Sequence, residues 1–388
     1  MPGLPNRSVA VLAGSLFALA LGEELWQVYV PPYLTALGAS GVVVGLYGSA
    51  RDLLDSLYQY PGGWLADTVG RRRTLMILTT IAIAGYATYA IAPRWEFVLV
   101  GLVAVMAWKA GAFPTTFAII GDSVPKDRRA AAFAVQSVLV RVPRVVSAPL
   151  GGLIIASVGL VAGFRIACAV TVVMGGVVLL AQHFYLRDAR PVTAAAPRSL
   201  FRWQDVPPEL RRLLVADSMV RIGEGIAASF IVLYVTQVLG VAVSDYGAYY
   251  AIQQVIAIAF YLPAGRVADI TGRRPLVALT FVFFALFPAA VRFAGSQVAL
   301  LVAFVIGGLK EIGEPARKSL IVDLSPEDRR GATVGLYYGI RNMLVVPAGV
   351  LGGVLWQQSP QLPLEIAFVV SSVGLVIFLL AGRGEERP

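Results

Sequence analysis

The chain has 388 residues, 57% of them hydrophobic and 14% charged, with a mean hydropathy of +0.74 and a formal charge of +9. So apolar a composition excludes an ordinary water-soluble domain, which at this length needs far more polar surface. The single cysteine, Cys168, and the single histidine, His183, exclude an intrachain disulfide, a cysteine-based metal site and a multi-histidine metal site.

In chain order, apolar runs predict twelve spans at about 9–37, 41–66, 74–92, 96–120, 130–156, 161–186, 211–239, 244–268, 276–294, 297–321, 331–357 and 362–382. Residues 1–8 are too short and too weakly basic for the charged region of a cleaved signal. The first run carries Glu23 and Glu24, so it reads as a retained helix. The most polar stretch, 187–210, carries Pro191, Pro197, Pro207 and Pro208 among arginines and reads as a linker. It divides an N-terminal six-helix bundle at 1–186 from a C-terminal one at 211–388. Basic residues set the orientation. Arg7, Arg71–Arg73, Lys126, Arg128, Arg129, the linker arginines, Arg273, Arg274, Arg329, Arg330, Arg383 and Arg387 share one face, against Arg94 and Arg292 on the other. That bias puts both termini in the cytoplasm of a multi-pass cell-membrane protein. Topology accounts for the positive charge, so the lipid bilayer is the expected partner and nucleic acid is not.

The halves repeat. Gly22, Glu23 and Tyr33 return as Gly223, Glu224 and Tyr234; Lys109 and Pro114 return as Lys310 and Pro315; Asp122–Arg129 returns as Asp323–Arg330. Each match is offset by 201 residues. Two longer stretches, 61–73 and 263–274, each end an apolar run with a carboxylate, a glycine and an arginine cluster. The first, Gly63-x-Leu65-Ala66-Asp67-x-x-Gly70-Arg71-Arg72, resembles the loop 2–3 signature of the major facilitator superfamily, and the second occupies the matching loop 8–9 place. The resemblance covers essentially the whole chain. It implies an all-α integral membrane fold of 12 transmembrane helices in two pseudo-symmetric six-helix bundles, working by alternating access about a midplane site. It also implies a gating role for Asp67, Gly70, Arg71, Asp269, Gly272 and Arg273, beside the plainer reading that the arginines only enforce topology.

Charges inside spans are costly and must face one another or water. Spans 3, 9 and 12 carry no interior charge, and span 6 carries only Arg165 near its outer end. In the family fold spans 3, 6, 9 and 12 are outer supports, so the rest would enclose a polar cavity. At mid-bilayer depth lie Glu23, Glu24, Arg51, Asp55, Lys109, Arg141, Glu224, Lys310, Glu311, Glu314 and Arg341. Lys310, Glu314 and Arg317 stand at i, i+4 and i+7, on one helix face. Lys109, Arg141, Lys310 and Arg341, with Trp108 and Tyr338, form the candidate substrate site, since convergent cations bind carboxylate or phosphate. Glu23, Glu24, Glu224 and Glu314 are the candidates for proton coupling. The alternative for both sets is an internally neutralised network that holds helices together.

The expected function is secondary active transport of a small solute, preferably an organic anion, coupled to protons by symport or antiport. No Walker A sequence is present, no cofactor or metal is implied, and the chain is expected to be a monomer and not an enzyme. Two alternatives stand beside it: a proton-coupled multidrug or metabolite efflux antiporter, and a non-transporting sensor or scaffold. Segment 147–152 partly resembles the antiporters' fifth-helix signature, but Ala148 replaces a glycine, and Arg141 and Arg144 stand where that helix is usually apolar.

Overall fold

The computed structural model describes residues 7–123, 129–186, 206–326 and 330–382. Among these the chain is helical throughout, without a strand. Helices satisfy their backbone polar groups internally, which a bilayer requires of any lipid-exposed segment. α1 (Arg7–Glu24) ends at the acidic pair, passes through a 3-10 turn at Gln27–Tyr29 and resumes as α2 (Val30–Ala36). α3 (Gly41–Val69), α4 (Arg71–Ile91), α5 (Trp95–Ser123), α6 (Arg129–Val158) and α7 (Leu160–Tyr185) follow. α8 (Pro208–Leu233) runs into a π turn at Tyr234–Val238, then come α9 (Val243–Thr271) and α10 (Arg273–Arg292). The next two spans are broken, as α11 (Gln297–Leu309) with α12 (Glu314–Asp323), and α13 (Arg330–Val345) with α14 (Ala348–Gln358); α15 (Leu362–Gly382) is last. Counting each broken helix as one span gives the twelve membrane helices of the two-bundle fold.

By length and composition alone, seven of the described stretches could cross a bilayer, including Leu160–Tyr185, Pro208–Val238 and Leu362–Leu380. α7 shows how they meet lipid. Val173, Val177, Leu180 and Phe184 recur at helical spacing and are all exposed, Phe184 at 70%. A solvated surface would not carry so continuous an apolar stripe.

Contacts divide the chain into two compact units. The first comprises Met1–Ala39, Leu53–Ala195 and Ala242–Ala251; the second comprises Ser40–Asp52, Ala196–Val241 and Ile252–Pro388. The short exchanged pieces follow from close glycine packing. In the second unit the carbonyl of Gly349 occupies the space a side chain would need at Gly45, and Gly353 approaches Gly41. In the first, Gly247 lies against the Ala148 carbonyl, which also accepts a 2.6 Å hydrogen bond from the Tyr29 hydroxyl. Lipid removes the hydrophobic incentive for helices to associate, so close approach of small residues has to supply it.

The core of the first unit is aromatic. Trp26 sits edge-on to Tyr89, with centroids 5.2 Å apart, and Tyr33 stacks on Phe164 at 3.8 Å. The Trp26 indole donates to Thr171 Oγ1 at 3.1 Å, and that hydroxyl donates to the Gly22 carbonyl at 2.8 Å. In the second unit Leu213, Val220, Val277, Phe281, Ile321 and Phe378 form a buried apolar cluster. The repeat is visible in hydrogen bonds: Tyr33 donates to Ala92 O at 3.4 Å, and Tyr234 donates to Arg292 O at 3.2 Å. It is visible at two joints as well. Gly70 and Gly272, with φ of 95° and 84°, link α3 to α4 and α9 to α10 in a conformation that a Cβ disfavours.

α8 and α15 touch backbone to backbone. A Cβ on Gly223 would meet the Ala367 carbonyl at 2.8 Å and collide with Ser371 Oγ. Gly223→Ala should therefore destabilise the protein by about 1–3 kcal/mol, the usual effect of overpacking. Gly176→Ala, which meets nothing within 4 Å, should leave the unfolding midpoint in detergent nearly unchanged.

Candidate functional site

Six charges on two helices form a ladder inside the second unit. Asp217, Arg221 and Glu224 lie at i, i+4 and i+7 on α8, and therefore on one face. Lys310, Glu314 and Arg317 do the same across the α11–α12 break. The helices run antiparallel at this contact, and three rungs close: Asp217 Oδ2 to Arg317 Nη1 at 2.5 Å, Arg221 Nη2 to Glu314 Oε2 at 3.3 Å, and Glu224 Oε1 to Lys310 Nζ at 2.6 Å. Diagonals join the rungs, with Arg221 Nη1 2.7 Å from Glu224 Oε2 and Arg317 Nη2 2.5 Å from Glu314 Oε2. The innermost pair is almost sealed, Asp217 at 1% and Arg317 at 2% exposure. Phe284 lies under Arg221 and Lys310, at 4.9 and 5.2 Å from its ring centre.

The ladder is neutral, three acids against three bases. Two further cations adjoin it. Lys318 Nζ lies 3.5 Å from Glu314 and is largely exposed. Arg341, on α13, lies 3.5 Å from Asp217 Oδ2, an oxygen that already accepts from Arg317 and from the Tyr337 hydroxyl at 2.9 Å. The guanidinium covers the ring of Tyr338 at 4.6 Å and donates to Asn342 Oδ1 at 2.9 Å. Its Nη1 is buried and makes no hydrogen bond among the described residues. Beside the neutral ladder these two cations are a positive excess.

The break in span 10 serves this arrangement. The helix stops at Leu309 and restarts at Glu314, with Pro315 in the new first turn, where its missing N–H costs nothing. The freed Gly313 N–H donates to Thr280 Oγ1 at 2.6 Å. Glu314 thus stands at a helix N-terminus, which favours its charge.

The first unit treats its charges differently. Glu23 is buried and accepts a 2.5 Å hydrogen bond from the Tyr86 hydroxyl. No Lys or Arg nitrogen among the described residues pairs with it. Lys109, the repeat partner of Lys310, donates to Gln27 Oε1 at 2.8 Å. Glu24 is held by Arg144 Nε at 3.0 Å. By the repeat offset Tyr86 corresponds to Phe287 and Gln27 to Ala228. Two side chains with polar ends thus stand where the second half has apolar ones.

The remaining candidates are scattered. Arg141 lies half-buried on α6, Trp108 is buried on α5, and Gly70 and Gly272 are joints. Arg273 pairs with Asp323 at the end of α12. The side chains of Asp67, Arg71 and Asp269 lie outside the described residues. Arg51 pairs with Asp52 at 3.5 Å. Among the described residues no group of three His, Cys, Asp or Glu is placed to hold a metal. Four functional neighbours were not among the candidates: Asp217 and Arg221, whose α8 stripe mirrors the span 10 stripe in sign, and Tyr86 and Gln27, which no charge pattern marks.

The comparisons agree with this architecture. The family model described as Major Facilitator Superfamily matches residues 12–216 and 213–388. An uncharacterized MFS-type transporter of Methanocaldococcus jannaschii is 21% identical over 381 residues, 96% of this chain and 93% of that protein. The multi-drug resistance efflux pump PmrA homolog of Lactococcus lactis is 24% identical over 339 residues, covering 81% of this chain and 78% of the pump. A bacterial homolog to the human lysosomal transporter Spinster, solved in an inward-facing and occupied conformation, superposes with a TM-score of 0.78 at 18% identity over 98% of both chains. With twelve spans in two repeated bundles, a duplicated loop signature and a family match along almost its whole length, the chain belongs to the major facilitator superfamily of membrane transporters.

Proposed function

We propose that this transporter moves a small solute bearing an anionic group, by alternating access and with proton coupling, across the cell membrane with both termini in the cytoplasm. The observation that carries the substrate class is the positive excess beside a closed ladder. The six ladder charges neutralise one another, so they are framework. Of the two cations left over, Arg341 is the more buried, and Tyr338 offers it a flat apolar neighbour for the body of the solute. A carboxylate or phosphate would give its buried nitrogen an acceptor that Asp217, already engaged twice, supplies only at 3.5 Å. Lys109, hydrogen-bonded to a neutral amide, is the corresponding candidate in the first unit. Lys310 is a positioning residue on this reading, because Glu224 holds it at 2.6 Å.

Of the four glutamates, Glu23 best suits proton coupling. Glu24, Glu224 and Glu314 each have a cation within 3.0 Å, whereas Glu23 has a phenol. A carboxyl without a fixed counter-charge can gain or lose its proton without orphaning a buried cation. The second reading, proton-coupled drug efflux, is supported by the likeness to the Lactococcus lactis efflux pump.

Thermal midpoints of the purified protein across carboxylates, organophosphates, amino acids and lipophilic cations test the substrate class. A ligand at 100 times its Kd should add about 2.7 kcal/mol. Anions should be the stabilising class; stabilisation by lipophilic cations alone would replace this reading with efflux. Hydrogen bonds to charged groups contribute about 1.5–3 kcal/mol, so Arg341→Gln should raise the Kd for the anion roughly 10- to 100-fold. Arg317→Met should act on the framework instead. It would lower stability by about 3–5 kcal/mol, with much of that recovered in the Asp217→Leu/Arg317→Met pair.

In proteoliposomes, Glu23→Gln should abolish uptake driven by an imposed pH gradient while leaving solute exchange at zero gradient intact. Equal loss of both activities would remove Glu23 from the coupling role.

A further inference from the structure

A second site lies away from the ladder, where α8 and α10 begin and α12 ends. Four arginines gather at these helix ends. Arg211 Nε donates to Val206 O at 2.8 Å, and Arg273 pairs with Asp323. Arg212 and Arg274 line a cavity of about 70 Å³ together with Glu209. Leu213, Leu320 and Phe378 complete its wall. Leu213 and Phe378 are 3% and 5% exposed and belong to the apolar core of the second unit, so the cavity is rooted in the bundle rather than laid on its surface.

Such a cavity suits a particular chemistry. Its volume would hold several waters or one small charged group, and two guanidinium groups at its mouth select an anion, phosphate above all. Its position at the ends of membrane spans is the depth of lipid headgroups. An apolar wall beside the two cations gives a glycerol-linked phosphate a contact that a free anion would not use. The transport reading plays no part in this argument.

We propose that Arg212 and Arg274 bind the phosphate of an anionic phospholipid headgroup, with the glycerol end against Leu213 and Leu320, and that occupancy stabilises the second unit. Glu209 is the opposing charge. Its carboxylate shares the cavity and weakens the site, so lipid binding has a built-in sign test.

The test uses the full-length protein, delipidated in detergent and titrated with phosphatidylglycerol, phosphatidylcholine or glycerol 3-phosphate while its thermal midpoint is followed. Phosphatidylglycerol should raise the midpoint and phosphatidylcholine should not. A basic residue near the membrane surface contributes about fivefold in affinity, so Arg212→Gln/Arg274→Gln should raise the apparent Kd on the order of 25-fold. Arg73→Gln, an exposed arginine at the start of α4, should change it little, and Glu209→Gln should lower it. Leu320→Trp, which fills the cavity and keeps both arginines, should remove the phosphatidylglycerol effect even if the double variant folds poorly. Equal loss in Arg73→Gln and the double variant, or no response to Glu209→Gln and Leu320→Trp, would overturn the site. A glycerol 3-phosphate shift as large as that of the lipid would reassign it to a soluble anion.

Discussion

Charges placed in a bilayer need partners, and in the second half of this chain they find them by a rule of register. Along α8 the signs run minus, plus, minus from Asp217 to Glu224; along span 10 they run plus, minus, plus from Lys310 to Arg317. Two antiparallel helices with these orders can close every rung in one alignment only. Sliding either helix by one turn would bring like charges together, at a cost no lipid-facing rotation could relieve. The ladder therefore fixes the height of α8 against α11 and α12, and with it the place where span 10 must break. Lys310 caps the end of one half-helix, while Glu314 begins the next, at the end whose dipole favours a carboxylate.

A neutral ladder also decides which charges are available for anything else. Breaking one buried pair leaves an uncompensated ion, so the paired residues are poor candidates for groups that must change partners in a transport cycle. Arg341 and Glu23 are the exceptions in their respective units. One is a cation 3.5 Å from a carboxylate oxygen that already accepts from Arg317 and Tyr337; the other is an acid whose neighbour is a phenol. The two oddities have opposite sign, as the proposed tasks of reading an anion and carrying a proton require. Transporter sites are commonly built where membrane helices are discontinuous, because unwound backbone is tolerated there. Glu23 stands just before the break in span 1, and Arg341 stands five residues before the break in span 11.

Much of this was legible in the sequence, for reasons that can be named. The twelve spans follow from apolar length, and the repeat from residues whose roles leave little choice: Gly70 and Gly272 take a backbone conformation that a Cβ disfavours, and Tyr33 and Tyr234 each reach a carbonyl at the C-terminal end of another helix. The stripe Lys310, Glu314, Arg317 was readable as one face because helical spacing is local information. Its partner stripe on α8 has the same spacing, but its meaning comes from the pairing of distant helices, and no single-helix pattern reveals that. Tyr86 is a harder case. A span free of charged residues looked like a support, although one hydroxyl on it is the partner of a buried carboxylate.

The repeat makes the difference between the halves interpretable, because each position in one has a counterpart in the other. Opposite Asp217 and Arg221 the first half has Leu16 and Ala20; opposite Glu314 and Arg317 it has Phe113 and Thr116. Two rungs of the ladder are thus absent from the first half, and only Glu23 and Lys109 survive from the third. Even that pair has been drawn apart. Phe287 in the second half is an apolar ring under Lys310, whereas Tyr86 in the first adds one oxygen, which donates to Glu23. Ala228 offers no acceptor, whereas Gln27 offers one and takes the ammonium of Lys109. Two polar atoms give acid and base hydrogen-bond partners of their own, where the other half binds them to each other at 2.6 Å. A salt bridge resists a change of protonation because it would strand an ion; a carboxyl on a phenol and an ammonium on an amide keep a partner in either state. The second unit thus has a bridged framework where the first has a carboxyl held by a phenol, the proposed proton carrier.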